Sequence, residues 1–172
     1  QFNTDEIKAI LENAGCFKDY YIIGLETGLR PCDMWNLNQS DFKDIDGVKY
    51  FKIFSEKTGT FMYTPLTAAA ADIVDNADEK LFPNANEEFW RKGLRCNLKA
   101  NFSAAYIRKW NIRLHTLRHT FANRCLAAGI SKESIQNLMG HASVKTTEIY
   151  CNQRPKEKLA EELLKLPTLP QV

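Results

Sequence analysis

The sequence predicts a mainly α-helical domain with a small three-stranded antiparallel β-sheet. Apolar residues recur at helical spacing through most of the chain, and only one stretch, after Asp41, is rich in β-branched and aromatic residues between turn signals. A length of 172 residues, with 44% hydrophobic and 26% charged side chains, suits a single globular domain with a substantial core.

The first part of the chain predicts three helices. Asn3 and Glu6 stand at capping-box positions, directly ahead of apolar residues at helical spacing. A second helix is expected from Lys18 to Glu26, before a glycine stop. Pro31 suits the first turn of a third helix, which is expected to carry Leu37.

Turn signals divide the next stretch into strands. Asp46-Gly47 is a hairpin signal, and Val48 to Phe54 has the texture of a strand. Lys57-Thr58-Gly59 makes a second turn, from which Thr60 to Thr64 returns, and Pro65 ends the sheet. We therefore expect a three-stranded meander with Lys57 at a hairpin tip.

The rest of the chain again has helical spacing. We expect one helix after Thr67, two within Asn86 to Lys109, and one over His115 to Ala128. Ser131 is placed to cap another, and one more helix leads to Tyr150.

The charge of the chain permits a nucleic-acid partner without requiring one. The net charge is +2 and the pI is about 8.3, so binding of nucleic acid depends on whether the cations gather on one face. Basic residues cluster in two runs, which are candidates for DNA binding or else solvated helix faces: Arg91, Lys92, Arg95 and Lys99, followed by Arg108, Lys109 and Arg113.

Cysteine usage and the absence of long apolar runs bear on the compartment. The five cysteines are odd in number and form no CxxC motif, which argues against a disulfide framework or a zinc site. No apolar run approaches the length of a membrane span. These features favour a reducing cytoplasm and no membrane partner.

The most informative stretch is His115-Thr116-Leu117-Arg118-His119, whose His and Arg residues share one side of a helix. Two histidines at i and i+4 can bind a metal, but the zinc-protease pattern needs Glu where Thr116 stands. Histidine beside arginine better suits an anionic substrate, because arginine offers a planar fork to phosphate oxygens.

Three further motifs accompany this stretch. Thr27-Gly28-Leu29-Arg30 is followed by Asp33, Lys57 lies at the predicted hairpin tip, and residues 139–150 read MGHASVKTTEIY. Each motif alone is weak, since a lone arginine after a glycine turn is usually structural and a hairpin lysine is usually solvated.

Together and in this order, the motifs resemble the tyrosine recombinase family, of phage integrase or Xer type. The resemblance spans about Asn3 to Tyr150 and implies the fold of that family's catalytic domain. It implies a site-specific recombinase or integrase that cuts and rejoins double-stranded DNA through a covalent 3′-phosphotyrosine intermediate.

The resemblance also assigns roles to individual residues. Arg30 and Arg118 would bind the scissile phosphate, with Asp33 orienting Arg30. Tyr150 would be the nucleophile. The remaining catalytic residues would be Lys57, His115 and His141, whereas His119 would pack and form hydrogen bonds. Cationic side chains neutralise the phosphate in this chemistry, so no metal or other cofactor is expected.

The sequence departs from the family pattern in two ways. Met139 replaces the usual leucine before Gly-His, and Asp33 replaces the commoner glutamate, which shortens its reach to Arg30. We also expect no counterpart here of the family's N-terminal DNA-clamp domain. We therefore expect a catalytic domain over residues 1–152 and a helical tail over residues 153–172.

The tail reads as a helix from Arg154 to Leu166, with Leu159, Leu163 and Leu166 on one side. This apolar stripe needs a surface on which to be buried. It can dock on its own domain, or, as the resemblance implies, on a neighbouring protomer in a homo-tetramer on DNA. We favour the exchange, and a lone chain is compatible with a monomer.

Other functions stay open at this point. A DNA-binding module that has kept the fold and lost catalysis is the main alternative, although all six expected side chains are present. A type IB topoisomerase uses the same kind of tyrosine, and a metal-dependent hydrolase would be sensitive to chelators.

Overall fold

The computed structural model describes residues 1–45, 47–55, 60–82, 87–139 and 156–171. The helices are α1 Thr4–Glu12, α2 Lys18–Thr27, α3 Pro31–Met34, α4 Ala68–Asp75, α5 Glu87–Asn101, α6 Ala104–Trp110, α7 His115–Ala127, α8 Lys132–Met139 and α9 Lys156–Leu163. The strands are β1 Phe42–Ile45, β2 Val48–Ser55 and β3 Thr60–Pro65. The expected mainly helical fold with one small antiparallel sheet is confirmed.

Local signals fix the ends of the first helices. The Glu6 amide donates to Asn3 Oδ1 at 2.9 Å, and the Asn3 amide donates to Glu6 Oε2 at 2.8 Å, which completes the predicted capping box of α1. Helix α2 ends at Gly28, whose φ of 63° lies in the left-handed region that glycine adopts at low cost.

The sheet is the expected meander, with strand order β1-β2-β3 and antiparallel pairing throughout. Phe42 of β1 lies opposite Phe51 of β2, and their ring centroids are 4.9 Å apart in the core. The turn predicted to carry Lys57 lies outside the described residues.

The third helix is shorter than predicted. It ends at Met34, so Leu37, which was expected on the helix, lies beyond it and is buried. The reason is a backbone pairing that the sequence did not reveal. The Leu81 amide donates to Leu37 O at 3.0 Å, and the Gln39 amide donates to Glu79 O at 2.9 Å. This extended pairing excludes further helix.

Helix α2 lies at the centre of the main core and is buried along most of its length. Its Tyr20 ring stacks on Trp35 and on Trp90 of α5, with centroids 5.1 and 5.7 Å apart, and contacts Phe82. Close packing of large rings contributes more than area burial alone. This core fixes the position of the turn that follows α2.

A second apolar cluster receives the C-terminal tail. Leu163 and Leu166 are buried with residues of α7 and α8 of the same chain, among them Phe121 and Leu138. Helix α9 ends at Leu163, ahead of the predicted end at Leu166, and the predicted start at residue 154 lies outside the described residues. In the single chain these two leucines of the predicted stripe are thus docked in cis.

A buried ion pair holds the segment after α9. Arg124 Nη1 donates to Glu26 Oε1 at 2.9 Å and to Leu25 O at 2.7 Å, while Nη2 donates to Pro167 O. Leu169 packs against the main core. The tail therefore contacts both apolar clusters.

Within the described ranges, no helix combines the length and apolar character needed to span a membrane.

Docking of α9 in cis predicts a large difference between two neighbouring leucines. Leu163 is 3% exposed and Leu164 is 85% exposed. Leu163→Glu should cost about 3 kcal/mol, which lowers the Tm by roughly 10 °C in a chain of this size. Leu164→Glu is the matched control and should melt like the native chain. Equal melting of both variants would contradict docking in cis.

Candidate functional site

Arg30 stands where the turn after α2 enters α3. It is the N-cap residue of α3 in an extended conformation, and Pro31 opens the helix behind it. Its Nη1 lies 3.6 Å from Asp33 Oδ2, with both side chains mostly buried. This is an ion-pair distance beyond hydrogen-bond range. The short reach expected of Asp33 is consistent with that separation.

Arg118 projects from the buried side of α7. Its Nη1 donates to Gly28 O at 2.6 Å and its Nη2 donates to Met139 O at 2.5 Å. The side chain therefore joins the end of α2 to the end of α8. These are helix ends, where backbone carbonyls lack helical partners.

Arg30 lies near Arg118, because Arg118 binds the carbonyl of Gly28, two residues before Arg30. Burial lowers the pKa of Arg118 to about 10, and the positive charge of Arg30 acts in the same direction. Asp33 and Cys32 oppose the shift. Arg118 stays charged at neutral pH, so two cations share a partly buried place with one carboxylate. An anion bound between them would relieve the repulsion.

The end of α8 is held from two sides. The hydroxyl of the buried Thr64 in β3 donates to Leu138 O at 3.0 Å, and Arg118 donates to the next carbonyl, Met139 O. Helix α8 is thereby joined both to the sheet and to α7. His141 follows two residues later in the sequence.

His115 and His119 lie on the exposed side of α7, whereas Arg118, which was predicted to share their side, is buried. His115 is the first residue of the helix and lines the cleft described below. His119 is exposed, whereas a packing side chain was expected at this position. The reason is its position one turn after His115, on the face of α7 opposite the buried Phe121.

A cleft of about 610 Å³ lies beside the start of α3, and Pro31, Cys32 and His115 contribute to its lining. Its apolar part comes from α3, α5 and the segment around α6. Among the described residues that line it, six carry basic side chains and none is acidic, and we name it the cationic cleft. Its basic lining residues are Arg91, Arg95, Lys99, Arg108, Arg113 and His115, and the others are Pro31, Cys32, Trp35, Leu98, Ile107, Asn111, Ile112 and Leu114.

Helix periodicity explains which predicted cations reach the cleft. Arg91, Arg95 and Lys99 follow one another at intervals of four along α5, and so form one stripe. Lys92 lies off the stripe and binds Glu88 Oε1 at 2.6 Å. Lys109 places its Nζ 5.2 Å from the ring centroid of Trp110. Five of the seven predicted basic residues thus converge.

Asn111 is a cleft residue that the sequence analysis missed. It caps α6 in the left-handed region, with φ of 50°, and its Oδ1 accepts a hydrogen bond from Arg113 Nε at 2.8 Å. It thus orients one of the cleft cations. The signal was available, because asparagine is one of the few residues that tolerate this conformation at a helix end.

Three predicted site residues, Lys57, His141 and Tyr150, lie outside the described residues. Among the residues that are described, no group of three His, Cys, Asp or Glu side chains is arranged to hold a metal ion.

Sequence relatives give the family. The model of the phage integrase family matches residues 2–157. The tyrosine recombinase XerA of Pyrococcus horikoshii is 30% identical over 159 aligned residues, which cover 85% of this chain and 54% of the relative. The chain spans about half the length of the curated relatives it matches first.

Solved structures give the fold. An integrase from mycobacterium phage Brujita has a TM-score of 0.73 at 19% identity, covering 96% of this chain and 57% of that one. The XerH site-specific recombinase, solved bound to its difH substrate, has a TM-score of 0.62 at 19% identity, covering 94% of this chain and 52% of that one. Since the family model matches nearly the whole chain, the chain belongs to the phage integrase family and has the fold of a tyrosine recombinase catalytic domain.

Proposed function

We propose that this chain is the catalytic domain of a site-specific DNA recombinase that cleaves and rejoins DNA through Tyr150. The observation that carries the proposal is that Arg118 binds the carbonyl of Gly28, two residues before Arg30, so that the charges of the two arginines act on each other. Such a pair fits a phosphodiester, whose negative oxygens repel a nucleophile until their charge is neutralised.

Each arginine has a distinct part in holding the phosphate. Arg118 bonds two backbone carbonyls, one through each terminal nitrogen, which fixes its plane and leaves further N–H groups for a ligand. Asp33, in the first turn of α3, orients Arg30. Two fixed cations stabilise the crowded, more negative transition state more than the ground state.

In the proposed reaction, the Tyr150 oxygen attacks phosphorus and the bond from phosphorus to the 5′ oxygen breaks. The DNA 3′ phosphate becomes esterified to Tyr150, and a free 5′ hydroxyl leaves. His115 takes the tyrosine proton or stabilises the charge, His141 donates to a phosphate oxygen, and Lys57 protonates the leaving oxygen. A 5′ hydroxyl attacking the phosphotyrosine reverses every step, so rejoining needs no ATP.

In this proposal, the DNA backbone next to the cut lies in the cationic cleft. The described part of its lining carries five Arg or Lys side chains and no acid, and it includes His115 of the proposed catalytic group. The XerH neighbour was solved bound to a DNA substrate, which supports DNA as the partner. A cytoplasmic protein associated with the nucleoid follows from such a partner.

Assembly into a homo-tetramer on DNA, with exchange of the C-terminal helix, is the second part of the proposal. In the lone chain, Leu163 and Leu166 occupy a surface of α7 and α8. A neighbour's α9 would fit the same surface, because every protomer carries the same apolar stripe and the same surface of α7 and α8. Cis docking and exchange are then two occupancies of one site.

Two alternatives share the fold. An inactive DNA-binding module would bind DNA without a covalent complex, and a type IB topoisomerase-like enzyme would relax supercoiled DNA without joining strands from two duplexes. Mapping the products formed on DNA that carries a selected site distinguishes both alternatives from a recombinase, because only a recombinase joins strands from two duplexes.

Removing the Tyr150 hydroxyl should abolish the chemistry and spare binding. On a nicked duplex carrying a site selected from random DNA, Tyr150→Phe should give no complex that survives denaturing electrophoresis. Its Kd should stay within about threefold, because one hydroxyl is lost. Tyr21→Phe, at a buried tyrosine bonded to Asn97, is the control that keeps the complex. A covalent complex formed by Tyr150→Phe would refute the assignment.

The cleft predicts different salt dependences for two neighbouring cations. Arg91→Ala should weaken DNA binding and reduce the slope of log K against log salt by about one, because one phosphate contact is lost. Lys92→Ala should change neither quantity, since Lys92 lies outside the cleft lining and binds Glu88. Equal slopes for both variants would contradict the proposed DNA seat.

A further inference from the structure

Helix α6 ends on a tryptophan that is 60% exposed. Tryptophan is highly buried on average, and Trp90 of the same chain is enclosed by other rings. Lys109 holds its Nζ 5.2 Å from the Trp110 ring centroid. The surface therefore offers a large flat ring with a cation beside it.

A row of aromatic rings fixes Trp110 to the core. Phe2 stacks on Phe102 with centroids 5.7 Å apart, Phe102 stacks on Tyr106 at 5.6 Å, and Tyr106 contacts Trp110 at 6.3 Å. Phe2 is buried, and its amide donates to Thr120 Oγ1 at 2.9 Å. A ring supported in this way loses little conformational entropy when it binds a ligand.

The charge around the ring suits a polyanion. Arg108 and Asn111, on either side of Trp110 in the sequence, line the cationic cleft, and Lys109 adds another positive charge. The neighbouring carboxylate, Glu6, accepts hydrogen bonds from the Tyr106 hydroxyl and from the Asn3 amide. Both carboxylate oxygens of Glu6, on α1, are thus already bonded.

We propose that Trp110 stacks on an unpaired nucleobase of the DNA strand whose backbone lies in the cationic cleft. The inference rests on the proposed function. Base faces are covered within a paired duplex, whereas a flat ring flanked by cations matches the face of a base that has left the stack. Exchange of strands requires such bases, because those next to a break must leave the old partner strand before they pair with the new one.

The test compares two duplexes of equal length and charge, one fully paired and one with a short central stretch of unpaired bases. Trp110→Ala should weaken binding to the second duplex by about tenfold and leave binding to the first almost unchanged. Trp110→Phe keeps a ring and should recover most of the affinity. Phe89→Ala removes a comparably exposed ring, 52% exposed on α5 and outside the row, and should bind both duplexes like the native chain.

Three results would overturn the stacking proposal. Trp110→Ala binds the unpaired duplex like the native chain, or it loses the same affinity for both duplexes, or it alters only self-association in sedimentation and so marks a contact between protein copies. The proposed function fails separately. If Arg91→Ala weakens binding and Trp110→Ala does not, only the stacking proposal is lost. If Tyr150→Phe still forms the covalent complex, the catalytic assignment is lost whatever Trp110 does.

Discussion

The guanidinium of Arg118 is the interaction on which the site depends. Removing an arginine from water is costly unless its N–H groups find partners. Here Gly28 O and Met139 O supply them at helix ends. One buried cation thereby joins α2, α7 and α8, and its pKa is lowered to about 10 but remains high enough for full charge at neutral pH. The residue that shapes the backbone is also the one proposed to hold the phosphate.

This arrangement places strict demands on the turn between α2 and α3. A Cβ on Gly28 would lie 2.3 Å from Phe121 Cδ1, and the φ of 63° is strained for other residues, so glycine is required on two grounds. The carbonyl of the same residue receives Arg118, and Arg30 follows two positions later. Packing, backbone conformation and charge thus all constrain the same few residues, which explains why this turn carries a short and specific sequence motif.

Features set by local chemistry could be predicted from the sequence, and features set by distant contacts could not. The capping box at Asn3 and the glycine stop at Gly28 follow from neighbouring residues, and the structure has both. The early end of α3 depends on pairing with residues some forty positions away, around Leu81. Arg91 and Arg95 are neighbours along the chain, but only tertiary packing brings Arg113, from beyond the next helix, to the same cleft. The exposure of His119 and the docking of α9 likewise depend on which faces the rest of the chain covers.

Hydrogen–deuterium exchange of Arg118→Lys tests the central claim most directly. Lysine keeps the charge but has a single nitrogen on a flexible stem, so it cannot hold two carbonyls in a fixed plane. If Arg118 organises the site, amides in the turn after α2 and in the last turn of α8 should exchange faster by at least about tenfold through local opening. Amides of the paired strands β1 and β2 should keep their native rates. Native exchange at both helix ends would contradict the account, because the two carbonyls would then be positioned without Arg118.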